Sequence, residues 1–125
     1  MTEQRISKRI RTALDRTADM PGVAVVVGER AADIDYDSLY LARVIGVVKI
    51  TDESLTSADE DGVLRIDTSD FDDPYDRIQY FLRAMLQSAG VAFQHNGEHS
   101  LLIRGLSPID VMIIRGFAAQ QQAAA

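Results

Sequence analysis

Residues 73–103, DPYDRIQYFLRAMLQSAGVAFQHNGEHSLLI, decide the fold class. Asp73 is a good helix N-cap, Pro74 suits the first helical position, and Asp76 places negative charge in the first turn, where the helix dipole favours it. Ile78, Phe81, Leu82, Met85, Leu86 and Ala89 then form an unbroken apolar stripe, and Gly90 is free to take the positive φ of a C-terminal cap. A helix over 74–89 follows. Asn96-Gly97 stands between two apolar runs, Val91–Phe93 and Leu101–Ile103, and predicts a hairpin closed by a type I′ turn. A helix leading into a hairpin is the nucleus of an α+β domain.

Upstream, Ile6, Ile10, Ala13 and Leu14 fall on one face of a helix over Thr2–Ala18, with basic side chains on the other face and Pro21-Gly22 as its stop. Val23–Val27 predicts a strand, and its continuous apolar character predicts burial on both faces. Glu29–Ser38 reads as a loop. Leu39–Ile50 predicts a long strand: Leu41, Val44, Ile45 and Val48 also fit helical spacing, but Gly46 and the β-branched density favour the strand. Thr51–Gly62 reads as a polar loop and Val63–Asp67 as a short strand. Downstream, Pro108 separates the hairpin from a last strand, Val111–Ile114, before a Gln/Ala tail at 118–125 whose end, Gln120–Ala125, is frayed or helical. With no repeat or linker, the expected architecture is one α+β domain over residues 1–125, two helices packed on one mostly antiparallel sheet.

Composition narrows the chemistry. The 125 residues are 46% hydrophobic and 26% charged, as in a globular domain. The absence of cysteine excludes disulfides, thiolate metal sites and thiol nucleophiles. No apolar run approaches the roughly 20 residues of a membrane span. Arg5, Lys8, Arg9 and Arg11 interrupt any apolar leader, so a cytoplasmic or virion protein, neither secreted nor membrane-spanning, is expected. The net charge of −6 is uneven: residues 1–16 carry five basic against two acidic side chains, and the remainder eight against 17.

Catalytic and metal motifs are missing. Asp33, Asp35 and Asp37 match the first ligand positions of an EF-hand loop, but Ser38 and Val44 stand where it needs glycine and glutamate. Asp59-Glu60-Asp61 and the run containing Asp70, Asp72 and Asp73 are acidic loops without a full ligand set. In a tight hairpin His95 faces Glu98 and His99 faces Gln94, which points the two imidazoles to opposite sides of the ribbon. No nucleophile elbow, phosphate-binding lysine loop or dinucleotide fingerprint occurs, so neither an enzyme nor a cofactor is expected. The basic helix, with Arg5, Lys8, Arg9, Arg11 and Arg16 on an exposed face, has no interleaved aromatics for base stacking on an otherwise acidic chain, so a solvated or a protein-binding face is expected rather than sequence-specific nucleic-acid binding.

A basic face and acidic loops on one chain suit head-to-tail contacts that close into a ring, with edge pairing through the long strand as a second route. The order of an N-terminal helix (Thr2–Ala18), strands (Val23–Val27, Leu39–Ile50), a central helix (Pro74–Ala89) and closing strands (Val91–Ile103, Val111–Ile114) resembles the tail-terminator and neck proteins of tailed bacteriophages. That resemblance implies a non-enzymatic, ring-forming structural protein contacting other structural proteins, and transfers no functional residue. The alternative is a small acidic binding protein, an immunity protein or DNA-mimic inhibitor, that captures a basic partner through Asp33, Asp35, Asp37, Asp59, Glu60, Asp61, Asp70, Asp72 and Asp73.

Overall fold

The computed structural model describes residues 4–71 and 77–124, with side chains up to residue 117. The helix start expected at Asp73, Pro74 and Asp76 lies outside the described residues, as do Thr2 and the side chains of the Gln/Ala tail. The fold is α+β. Its sheet has the order β1-β2-β3-β5-β4, built from β1 (Val23–Val27), β2 (Gly46–Ile50), β3 (Val63–Asp70), β4 (Gln94–His95) and β5 (Ser100–Arg104). Only β1 and β2 pair in parallel; every other neighbouring pair is antiparallel.

One sheet face is apolar because alternate residues point the same way. Val25, Val48, Ile66 and Leu101 lie on it, continued by Val27, Ile50, Leu64 and Ile103. Four helices cover this face: α1 (Ile6–Ala18), α3 (Asp52–Asp61), α4 (Arg77–Ser88) and α5 (Pro108–Ala124). They bring Ile10 and Leu14, Leu55, Ile78 with Leu82 and Leu86, and Val111 with Ile114 and Phe117. Helix α1 packs against both α4 and α5, and α3 against β3 and α5.

The parallel pair β1–β2 needs a long crossover. It is supplied by a 3-10 turn at Ala31–Asp33 and a short helix, α2 (Tyr36–Leu41). This crossover lies on the other sheet face. The Lys49 ammonium meets the Tyr36 hydroxyl at 2.8 Å, and Lys49 alternates with the core residues Val48 and Ile50. Phe71 supports α2 from below, with the Tyr36 and Tyr40 rings edge-on at 6.4 Å.

Several expected elements are corrected. Leu39–Ile50 is not one strand. Asp35 caps α2 by accepting from the Ser38 amide at 3.0 Å, and Arg43, at φ 61°, ends it before β2 begins at Gly46. The helical spacing there was the true local signal. Thr51–Gly62 is helix rather than loop: the Thr51 hydroxyl accepts from the Ser54 amide at 3.2 Å and Gly62, at φ 70°, closes the other end. Leu55 and Ala58 are its two apolar residues, both buried, so its stripe is too thin to read.

Val111–Ile114 is helix as well. The Ser107 hydroxyl accepts from the Asp110 amide at 3.2 Å while Asp110 accepts from the Ser107 amide at 3.0 Å, a reciprocal capping box with Pro108 at the first helical position. Capping and the buried spacing Val111, Ile114, Phe117 outweigh β-propensity, which is a context-dependent preference. The helical option for the tail therefore holds through Ala124.

The hairpin forms in a wider register. His95 pairs with Leu101, not Glu98, and the Asn96 amide donates to the Ser100 carbonyl at 2.9 Å. The His99 carbonyl accepts from the Thr68 amide of β3, which draws that end of the loop toward the sheet and opens the turn. Strand β1 is an edge strand, and only Val27 of it is fully buried, so the expectation of two covered faces fails.

Candidate functional site

The basic face of α1 is largely engaged within the chain. Arg5 lies 3.7 Å from Asp110, and Arg9 donates to the Gln4 and Gly90 carbonyls at 2.9 and 3.3 Å. Arg11 stacks 4.9 Å over the Phe117 ring and meets Asp15 at 3.5 Å. Arg16 donates to the Ser88 hydroxyl at 3.2 Å, while Lys8 is exposed. These arginines staple α1 to α4 and α5. The expectation of a wholly solvent-facing cationic stripe is corrected on this point.

The acidic residues do not form one surface. Asp33, Asp35 and Asp37 lie in the β1–β2 crossover. Asp33 pairs with Arg30 at 2.9 Å; Asp35 accepts from Ser38, whose hydroxyl and amide hold the Asp35 carboxyl below its usual range. Glu53 reaches from α3 to the Ala31 amide at 3.0 Å, and its own amide together with that of Ala31 lowers its carboxyl likewise.

Asp59, Glu60 and Asp61 are the last turn of α3, not a loop. Arg115 on α5 binds Asp52 at 2.9 Å and Asp59 at 3.3 Å, tying both helix ends to one cation. Asp70 ends β3 opposite Gly46, where its Oδ1 accepts from the Ile78 amide at 3.4 Å at the start of α4. Asp72 and Asp73 lie outside the described residues.

Besides Tyr80 on α4, 70% exposed at an open cleft of about 390 Å³ with Met20, Phe81 and Ala84, apolar exposure marks two further surfaces. At the end of α2, Leu41 is 81% and Tyr40 60% exposed, and Ile45 beside them is half-exposed. On α5, Met112 is 65% and Ile109 51% exposed, and Ile113 and Gly116 continue that side of the helix. Between α1 and α5 runs an open groove of about 360 Å³, lined on the α5 side by Ile113, Gly116 and the Arg11-covered Phe117 and on the α1 side by Lys8, Arg11, Thr12 and Asp15, with Gln4 at its end. Because α2 and the α1–α5 pair cover opposite faces of the sheet, the two apolar surfaces point away from each other.

Sequence reasoning missed both. Once Ser107-Pro108 is read as a helix start, Ile109, Met112, Ile113 and Gly116 fall at helical spacing, and that signal was available. The two histidines are exposed at the hairpin tip: His95 lies 6.4 Å from the Phe93 ring, and His99 lies 4.0 Å from Glu98. Among the described residues no group of three or more His, Asp or Glu side chains is placed to hold a metal ion, and no helix is long and apolar enough to cross a membrane. No protein-family model, curated protein sequence or solved structure matches the chain.

Proposed function

We propose that this chain is a non-enzymatic assembly protein that forms a homo-oligomeric ring, as phage tail-terminator and neck proteins do, although element order does not support the reading, because α2 and α5 stand where strands were expected. One observation carries this reading: the chain exposes apolar surface on opposite sides of its sheet, at Tyr40–Leu41 and at Ile109–Met112. Contiguous apolar exposure costs solubility and marks interaction surfaces more often than chance. Two such surfaces facing apart favour head-to-tail association, which closes into a ring when the rotation fits. Assembly by strand pairing through residues 39–50 has no role here, since β2 is flanked by β1 and β3.

Light scattering on the eluting protein tests the reading. Assembly predicts a mass several times 13.8 kDa. A mass of one chain at every protein concentration would overturn it. That outcome leaves the second reading, capture of a basic partner. It is favoured by the contact between Glu53 and Ala31, which brings the carboxylates of the crossover beside Asp52 and Glu53 at the start of α3.

A further inference from the structure

We infer that the end of α2 on one copy of this chain docks into the α1–α5 groove of the next copy. The inference rests on the assembly reading and gives it a specific contact. The two surfaces differ in form: Tyr40 and Leu41 stand out from the crossover at 60% and 81% exposure, whereas Ile113 and Gly116 open into a groove of about 360 Å³ whose α1 side is polar and whose Phe117 is buried beneath Arg11. The apolar part of the contact is Leu41 against Ile113, on the side of α5 that Ile109 and Met112 continue, and burying apolar surface there favours the contact.

The charges around them are opposite. The crossover stretch 29–37 carries four carboxylates against one arginine, a net of −3. The α1 stretch 5–16 carries five cations against one carboxylate, a net of +4. Lys8 and Arg11 wall the groove, so seating Leu41 brings Asp37, exposed one turn earlier on α2, toward them. Intrachain pairing reduces the effective charge on α1 but leaves its sign. Complementary fields of this kind set orientation and encounter rate more than affinity.

The seat has room. A side chain added at Gly116 meets no heavy atom within 4 Å, so a Cβ there points into open space. Since α2 and the groove lie on opposite faces of one chain, no molecule satisfies itself, and the contact propagates from copy to copy.

The experiment is thiol cross-linking with a short bismaleimide, in a chain that has no cysteine of its own. Leu41→Cys and Gly116→Cys are both open positions, so the double variant is expected to fold. Docking predicts a ladder of covalent multimers of the double variant on denaturing gels. It also predicts a heterodimer when the two single variants are mixed, and no ladder from either alone. Light scattering on the unmodified chain is read in parallel. An assembled chain whose double variant gives no ladder overturns the docking and leaves the assembly reading standing. A covalent dimer from Leu41→Cys alone replaces it with a two-fold contact. A monomer with no ladder overturns both.

Discussion

The Ser54 hydroxyl takes the place of a neighbouring strand beside Arg65. It accepts from the Arg65 amide at 2.9 Å and donates to the Arg65 carbonyl. Strand β2 pairs with β3 only as far as Asp67 and then turns into α3, so the β3 backbone at Arg65 loses its partner on that side. A buried serine on the first turn of α3 closes the gap, satisfying two backbone groups that would otherwise be left unpaired.

Ser54→Ala therefore strands an N–H and a C=O at once. Leaving a buried polar group unmade costs about 1–3 kcal/mol. Urea unfolding is expected to show a loss in that range with an unchanged slope. A loss below about 0.5 kcal/mol, the size typical of an innocent surface change, would mean water replaces the hydroxyl without penalty.

Gly46 is set by contact rather than by conformation. A Cβ built there overlaps the Ile78 side chain and the Ser69 backbone carbonyl, and the carbonyl belongs to the neighbouring strand and cannot step aside. Gly46→Ala is expected to destabilise by about 1–3 kcal/mol, the usual cost of overpacking. The loss should be accompanied by shifted amide resonances along β2 and β3. A neutral substitution would show that α4 slides freely over the sheet at this point.

Arg43 sits in the left-handed region at φ 61°, at the position after α2 where glycine is preferred. The amides of Arg43 and Val44 close the helix by donating to the Tyr40 and Leu39 carbonyls at 3.0 and 3.2 Å. A non-glycine residue in this conformation costs roughly 1–2 kcal/mol. Arg43→Gly is expected to raise stability by about 0.5–1 kcal/mol, after the extra backbone freedom of glycine in the unfolded chain is set against the relief. A fall in the urea midpoint would show that the arginine side chain makes a contact worth more than the strain.

What the sequence disclosed depended on how many signals agreed. For α1, periodicity and the Pro21-Gly22 stop point the same way, and the helix ends at Ala18 as expected, but it begins at Ile6 rather than Thr2, with Gln4 and Arg5 outside it. For α4, the stripe and Gly90, at φ 77°, did the same at its C-terminal end. Where signals conflict, β-branched density is the weaker guide. The stretch Val111–Ile114 and the start of Leu39–Ile50 are helical because Ser107 and Asp35 cap them, and a cap is a single residue with little statistical weight. The surfaces proposed for assembly lie on α2 and α5, so the sequence shows them only where those two caps are recognised. The charges of α1 were legible in number but not in engagement, because the partners of Arg5, Arg9, Arg11 and Arg16 include residues distant in sequence.

Asp110 links the basic helix to the pH response. The residue is 4% exposed at the start of α5. Burial pushes its carboxyl up, but the Ser107 amide and hydroxyl, the Ser7 hydroxyl and the Arg5 charge together outweigh burial and hold it below the usual range. Of these, the Ser107 contacts at 3.0 and 2.9 Å are the firmest; neither Ser7 Oγ nor Asp110 Oδ1 makes a hydrogen bond of full geometry. A carboxyl that binds its proton less readily in the folded state than in the unfolded chain stabilises the fold above the unfolded value, near 3.9. That contribution is lost as pH falls through the lower, folded value. Asp110→Asn keeps an oxygen for the cap and removes the charge, so at pH 7 it is expected to cost about 1.5–3 kcal/mol, the range for a hydrogen bond to a charged group. Below the folded value both chains are neutral at this position, and the gap between their urea midpoints is expected to narrow. A gap that stays constant from pH 7 to pH 3 would mean that the charge contributes nothing and that the capping geometry alone holds α5 to α1.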